Sequence, residues 1–211
     1  MLDEIEQRFR GNLARVENLL DLYEHELGLT GQGRRPTHAT DILRATVVLL
    51  HASLEELVRS VARWKWPSGP PEVLQDVPLA RAAGHEIRPS KSFKLSELLE
   101  HRGKTVDELI QESVDCYLDT EFAVSNNERL VGILKNAGVR EAALEPYLPP
   151  IAQMIRRRHL IVHHADRNPL HGQGQHKATS IGTTAVREWL GCVRLLGAEV
   201  LRQMRNPIAA A

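Results

Sequence analysis

Residues 41–64 read DILRATVVLLHASLEELVRSVARW. The spacing predicts a helix from about Asp41 to Trp64, apolar around nearly its whole circumference near Val47–Leu50, and a helix of that kind sits in the centre of a bundle. Pro36 and the cluster from Thr37 to Asp41 supply its start signals. On its N-terminal side, Ile5, Phe9, Leu13, Val16, Leu19, Leu20 and Tyr23 recur at three- and four-residue intervals with charges between them. That pattern is an amphipathic helix over Leu2 to Leu27, stopped by Gly28 and followed by the loop GLTGQGRRP.

On the C-terminal side, Pro67, Gly69, Pro70, Pro71, Pro78, Gly84 and Pro89 exclude a long regular element between Lys65 and Pro89, which is read as an ordered excursion or a flexible flap. Helical periodicity resumes with FKLSELLEHRG, then TVDELIQESVDCYLDTEF, then NERLVGILKNAG, whose Gly138 is a C-terminal cap. In REAALEPYLPPIAQMIRRRHLIVHHAD the prolines at 146, 149 and 150 place the start of a long helix after Pro149. A His- and Gly-rich loop from Asn168 to about Lys177 leads to a last amphipathic helix carrying Ile181, Val186, Trp189, Leu190, Val193, Leu196, Val200 and Leu201. No period-two run bounded by turn signals occurs, so a substantial β-sheet is excluded. The fold class is therefore all-α: a bundle of five to six helices in one domain, residues 1–211.

Lysine plus arginine and aspartate plus glutamate each total 27, so the chain has no global field to draw in a polyanion, and any such site must be a local patch. Cys116 and Cys192 suit a reducing compartment and are read as buried apolar fillers. The start MLDEIEQRFR has no apolar core of a leader, and the most apolar segment, ATVVLLHASLEELV, is interrupted by His51, Glu55 and Glu56. A cytoplasmic protein without a membrane span is expected.

The chemically unusual feature lies between 156 and 176. Arg156, Arg157 and Arg158 immediately precede His159, His163, His164, His171 and His176. Three readings compete. Positive charge collects at a helix C-terminus because the helix dipole favours it there, by a few tenths to ~1 kcal/mol per group. A metal site is a second reading: His159 and His163 stand one turn apart, and Asp166, His171 or His176 complete the set, although three arginines oppose a divalent cation. The third is a phosphodiester site, in which arginine neutralises phosphate and histidine carries protons near neutral pH. One His and one Arg are too few for base, acid and phosphate binding together, which points to two copies meeting in a symmetric dimer. Elsewhere, Glu55 and Glu56 are weighed between tuning the histidines and pairing with Arg59. Trp64 and Trp66 beside Lys65 are weighed between stacking bases and capping the core. His51 is read as a hydrogen-bonded core histidine, and Asp166 and Asn168 as residues that shape the turn after the helix.

The segment Arg158-His159-Leu160-Ile161-Val162-His163 resembles the R-x4-H signature of the HEPN superfamily, and DILRATVVLLHASLEELVR resembles that family's central helix, with Glu55 followed by Arg59. The likeness extends over most of the chain from about position 37. It implies a helical bundle, dimerisation across the motif helices, and metal-independent RNA cleavage giving a 2′,3′-cyclic phosphate and a 5′-hydroxyl, without a cofactor. Carried over to this sequence, it makes Arg158 and His163 the catalytic pair, with Arg157, His159 and His164 as substrate contacts. Arg157 and His164 offer neighbouring spacings. Helix geometry alone sets Arg158 and His163 ~140° apart, at 3.6 residues per turn, so spacing by itself does not pair them. The role this implies is a ribonuclease of toxin–antitoxin or phage-defence systems, working on RNA as a homodimer beside an antitoxin or neighbouring regulatory protein. The alternative is a non-catalytic HEPN-like module that binds RNA or protein through the same surface.

Overall fold

The computed structural model describes residues 1–28, 37–80, 95–167 and 178–206. In chain order the elements are α1 (Leu2–Gly28), α2 (Thr37–Lys65), a 3-10 turn at Trp66–Ser68, α3 (Pro71–Leu74), a 3-10 stretch at Leu95–His101, α4 (Val106–Thr120), α5 (Asn127–Asn136), 3-10 turns at Glu141–Ala143 and Glu145–Tyr147, α6 (Leu148–His164) and α7 (Thr183–Arg205). Six of these helices have ten or more residues, and α3 is a single turn. Among the described residues the only β pairing is an isolated bridge between Arg167 and Ala178.

The expected central helix is α2. It packs against α1, α4, α5, α6 and α7, and Leu43, Val47, Leu50, Leu54, Leu57, Val58, Val61 and Ala62 lose essentially all contact with solvent. Thr46 and Ser53 lie on the same buried surface. Each donates its hydroxyl to the carbonyl four residues back, Ile42 at 2.8 Å and Ser53's partner Leu49 at 2.7 Å, so neither is left unsatisfied in the core. α1 lays Ile5, Phe9, Leu13, Val16, Leu20 and Tyr23 against α2 and α7, and α7 returns Val186, Leu190, Val193, Leu196 and Val200 to the same core. No helix among the described residues is long and apolar enough to cross a membrane.

Local signals account for the ends of the shorter helices. Thr105 and Glu108 form a reciprocal capping box at α4: the Thr105 hydroxyl accepts the Glu108 N–H at 3.2 Å, and the Glu108 carboxylate accepts the Thr105 N–H at 2.7 Å. Asn126 caps α5 by accepting the Arg129 N–H at 2.7 Å. After α5 the chain reverses through Gly138, whose φ of 90° other residues rarely adopt.

Some expectations need correction. α2 begins at Thr37 and α6 at Leu148, so both prolines of the pair at 149 and 150 lie inside the first turn of α6. FKLSELLEHRG does not form an α-helix over its described part. Leu95 and Leu99 remain 79% and 56% exposed, so the apolar burial here does little to offset the cost of nucleating a helix. Cys192 is buried, its thiol pushed up to about 11, first by burial and then by Glu188, but Cys116 is only half-buried. Trp66 is a core residue, its Nε1 directed at Ile133 O at 3.4 Å, and Trp64 is partly buried against the core under Lys65. The loop at 29–36 and the one expected from Asn168 to Lys177, with Asn168, His171 and His176, lie outside the described residues.

The closest approach of α7 to α1 and α2 depends on Gly197. A Cβ there would meet the Phe9 ring, 2.5 Å from Cζ, and Leu57 Cδ2 at 3.1 Å, whereas at Gly191 nothing stands within 4 Å. Gly197→Ala is expected to lower stability by about 1–3 kcal/mol through overpacking, and Gly191→Ala to be tolerated. Urea denaturation of the two variants checks this, and an equal response at both positions would contradict the packing.

Candidate active site at the end of the sixth helix

α6 buries Ile151, Met154 and Ile155 against the core, which fixes its rotation and so decides where the Arg and His side chains point. Ala152, Arg156, His159 and His163 follow one another at four-, three- and four-residue intervals along one face. His159, His163 and His164 are all exposed. The His159 ring lies 4.6 Å from that of His163 and 5.6 Å from that of His164, centroid to centroid. The structure thus gathers three of the five histidines into one solvent-facing cluster.

The adjacent arginines have separate fates. Arg157 turns inward to Asp166, its Nη2 donating to Oδ2 at 2.7 Å and to the Thr179 carbonyl at 2.9 Å. Arg44 of α2 reaches the same two acceptors, through Nε to Asp166 Oδ2 at 2.6 Å and Nη2 to Thr179 O at 3.1 Å. Asp166 is 1% exposed, and the two arginines are about one-tenth exposed. Burial lowers the Arg157 pKa from its ordinary value, with Asp166 pulling against that shift and Arg44 adding to it, yet a guanidinium stays charged under any of these influences. Backbone geometry completes the knot. Ala165 and Asp166 both take the left-handed conformation, with φ of 49° and 57°, the Asp166 N–H donates to Leu160 O, and the Thr179 N–H donates to Asp166 O at 2.8 Å.

Arg158 points to another side of the helix. It is half-buried, its Nε is shielded from solvent, and it makes no hydrogen bond or ion pair with a described residue. Its positive charge falls on Glu55 of α2. Glu55 Oε1 accepts the Val124 N–H at 2.8 Å. His51 bridges the same two groups, with Nε2 3.0 Å from Val124 O and Nδ1 3.4 Å from Glu55 Oε2. Burial works to raise the Glu55 pKa, but the bonds from His51 and Val124, with the charges of His51 and Arg158, hold it below the usual carboxylate value. Glu56 faces elsewhere, accepting from Arg8 at 3.0 Å and Ser60 at 3.0 Å and standing 4.0 Å from Arg59. Of the two glutamates that the sequence leaves equivalent, only Glu55 addresses the motif helix.

Arg158 and His163 therefore do not touch within one chain. Among the described residues no three His, Cys, Asp or Glu side chains are placed to hold a metal ion, and Asp166, weighed above as a ligand, is held by two arginines. Arg44 and Thr179 escaped the sequence reading, since 122 residues separate Arg44 from Asp166. A signal existed: a carboxylate just past a helix C-terminus opposes the dipole and needs a cationic partner.

A family model described as RiboL-PSP-HEPN matches residues 12–206. The chain belongs to the RiboL-PSP-HEPN family. The match takes in α2, the motif helix α6 and all of α7, so the HEPN assignment covers both the bundle and the candidate site. Comparison with curated proteins and with solved structures returned no match.

Two outcomes are expected of the polar groups that support this HEPN site. Asp166→Ala removes the carboxylate that Arg44 and Arg157 share, leaving Arg157 without a counter-charge and Arg44 with the exposed Asp41 alone, and is expected to cost about 3–5 kcal/mol in chemical denaturation; a loss below 1 kcal/mol would show that the knot is not structural. Glu55, with its pKa lowered by folding, contributes stability that is complete above its ordinary value and is lost as pH falls through the lower folded value. The melting temperature of Glu55→Gln is thus expected to fall less steeply on acidification than that of the parent protein, and parallel acid limbs would contradict this.

Proposed function

We propose that this protein is a metal-independent endoribonuclease with Arg158 and His163 as its catalytic pair. The observation that carries the reading is the contrast between neighbouring arginines. Arg157 is committed to Asp166 and Thr179, whereas Arg158 retains a guanidinium without a partner among the described residues. This favours the Arg158–His163 register over Arg157–His164, and it makes Arg157 a support of the helix end. His159 and His164 flank His163 and contact the substrate.

In the proposed reaction a neutral His163 imidazole takes the proton of a ribose 2′-hydroxyl as O2′ bonds to the adjacent phosphorus. The P–O5′ bond breaks, and O5′ takes a proton from a protonated imidazole. The products are a 2′,3′-cyclic phosphate and a 5′-hydroxyl. Arg158 offsets the charge gathering on the phosphoryl oxygens. Because the two side chains point to different sides of α6, the reading requires a homodimer in which the 156–164 helix ends of two copies supply phosphate binding, base and acid together. The HEPN assignment supports a role in toxin–antitoxin or phage-defence systems, in the cytoplasm and under an antitoxin or neighbouring regulatory protein. That same separation of Arg158 from His163 favours the rival, a non-catalytic RNA- or protein-binding bundle.

Cleavage assays separate the two. Arg158→Ala and His163→Ala are each expected to abolish RNA cleavage with folding retained, since a general acid–base residue contributes roughly 10²–10⁴-fold. Arg158→Lys is expected to fail as well, for want of the planar fork, His164→Ala to have a smaller effect, and chelator none. Light scattering is expected to report a dimer. Full activity in all three alanine variants, or loss of activity with EDTA, would overturn the mechanism. A wild-type protein that binds RNA without cutting it would leave the rival.

A further inference from the structure

Beside the histidine cluster, α6 and the start of α5 enclose an open cleft lined by Arg156, His159, Ile155, Asn127 and Glu128, with Ser125, Asn126 and Ala152 completing its walls. Its volume, ≈ 420 Å³, lies within the roughly 300–1,000 Å³ usual for small-molecule sites. The joint between the two helices is fixed, because the Asn127 side chain donates to Leu148 O at 2.7 Å and Asn126 is occupied in capping α5. Arg156 and Glu128 are both exposed, and neither forms an ion pair or hydrogen bond with a described residue. A cation and an anion thus face one cleft without neutralising each other, while the apolar Ile155 and Ala152 lie between them and the core.

We infer that this cleft holds the guanosine nucleotide that adjoins the scissile phosphate, with Arg156 on a backbone phosphate, the His159 ring against the base, and Glu128 on the base edge. The inference rests on the ribonuclease reading and names its substrate preference. A phosphate is drawn to Arg156 and repelled by Glu128, which orients the nucleotide along the cleft. A base in single-stranded RNA is held by stacking on a ring and by bonds to its Watson–Crick edge. An ionised carboxylate only accepts hydrogen bonds. Guanine presents two adjacent N–H donors, at N1 and the 2-amino group, and so matches both oxygens of Glu128. Adenine and cytosine place an acceptor beside their amino group, and uracil flanks its one N–H with carbonyls. His159 lies on the same helix face as His163 with the rings in contact, so a nucleotide seated here leads directly to the reacting phosphate.

The test uses short single-stranded oligoribonucleotides that differ in one base beside the cleavage position. It measures kcat and KM for cleavage, and fluorescence anisotropy for binding of 2′-deoxy versions that cannot be cut. The wild-type protein is expected to prefer guanine by about tenfold in KM and in binding, a factor that corresponds to one good charge-assisted bond. Arg156→Ala is expected to weaken all sequences by a similar factor with kcat nearly unchanged, and Glu128→Gln to level the four bases without weakening the others. Both positions are exposed, and circular dichroism confirms that the variants fold. Cleavage with no base preference, or with KM unmoved in both variants, would overturn the cleft assignment and leave the ribonuclease reading standing. Guanine-selective binding without cleavage would do the reverse.

Discussion

A single buried carboxylate holds the motif helix in place. Asp166 is shared between Arg44 from the central helix and Arg157 from α6, and both guanidiniums also bond the carbonyl of Thr179, ahead of α7. The central helix, 122 residues away in sequence, thereby meets the end of α6 and the approach to α7 at one charge. Two largely buried cations share one buried anion, with only the exposed Asp41 beside Arg44 as a further carboxylate, and Asp166 Oδ1 is buried without a partner, so the knot is not simply a source of stability. Desolvating three charges costs several kcal/mol per ion, and the close bonds to Oδ2 and Thr179 offset that cost only in this geometry. The arrangement does specify position. It ends α6 immediately after His164 and sets the rotation and depth of the turn that carries the histidine cluster.

That rotation explains how consecutive arginines come to differ. Each residue advances about 100° around the helix, so Arg156, Arg157 and Arg158 are sent to three sides. One faces the cleft beside α5, one the Asp166 knot, and one the Glu55–His51 pair on α2. A run of like charges that reads as one basic patch is thus divided into a solvent-facing cation, a structural cation and a half-buried cation. The third stands where an anion meets a charge that no nearby carboxylate has already bonded, although Glu55 moderates it at a distance. The Glu55 carboxylate is itself held by Val124 and His51, which satisfies it without consuming Arg158.

The bundle was legible in the sequence because it depends on local periodicity. The spacing over 41–64 marks α2, and nearly every apolar residue named for α1 and α7 is buried. The elements that failed were those whose form depends on a partner. Leu95–His101 has helical spacing but leaves Leu95 and Leu99 exposed, and Cys116 is only half-buried. At the candidate site, the motif points to α6, yet the contacts of its arginines depend on partners as far as 122 residues away that no spacing records. Glu55 could not be separated from Glu56 for the same reason. Adjacent positions on a helix face different elements, and only the packing of α2 reveals which one meets α6.

The zero net charge of the chain has the same resolution. Among the described residues, most of the other cations are matched on the spot. Arg187 is bonded to Glu24, Arg194 to Glu17, Arg205 to Asp3 and Glu6, and Arg63 to Asp115 and Asp119. These exposed pairs contribute little to stability, typically ~0–1 kcal/mol each. Their larger effect is on the field, because each cancels a charge that would otherwise compete for a polyanion. Among the described residues around the end of α6, Arg156, Arg158 and Arg167 remain without a carboxylate bonded to them, beside the three exposed imidazoles. A protein balanced overall can in this way still present a local patch of unpaired cations, the condition that the proposed binding of a single-stranded phosphate chain requires.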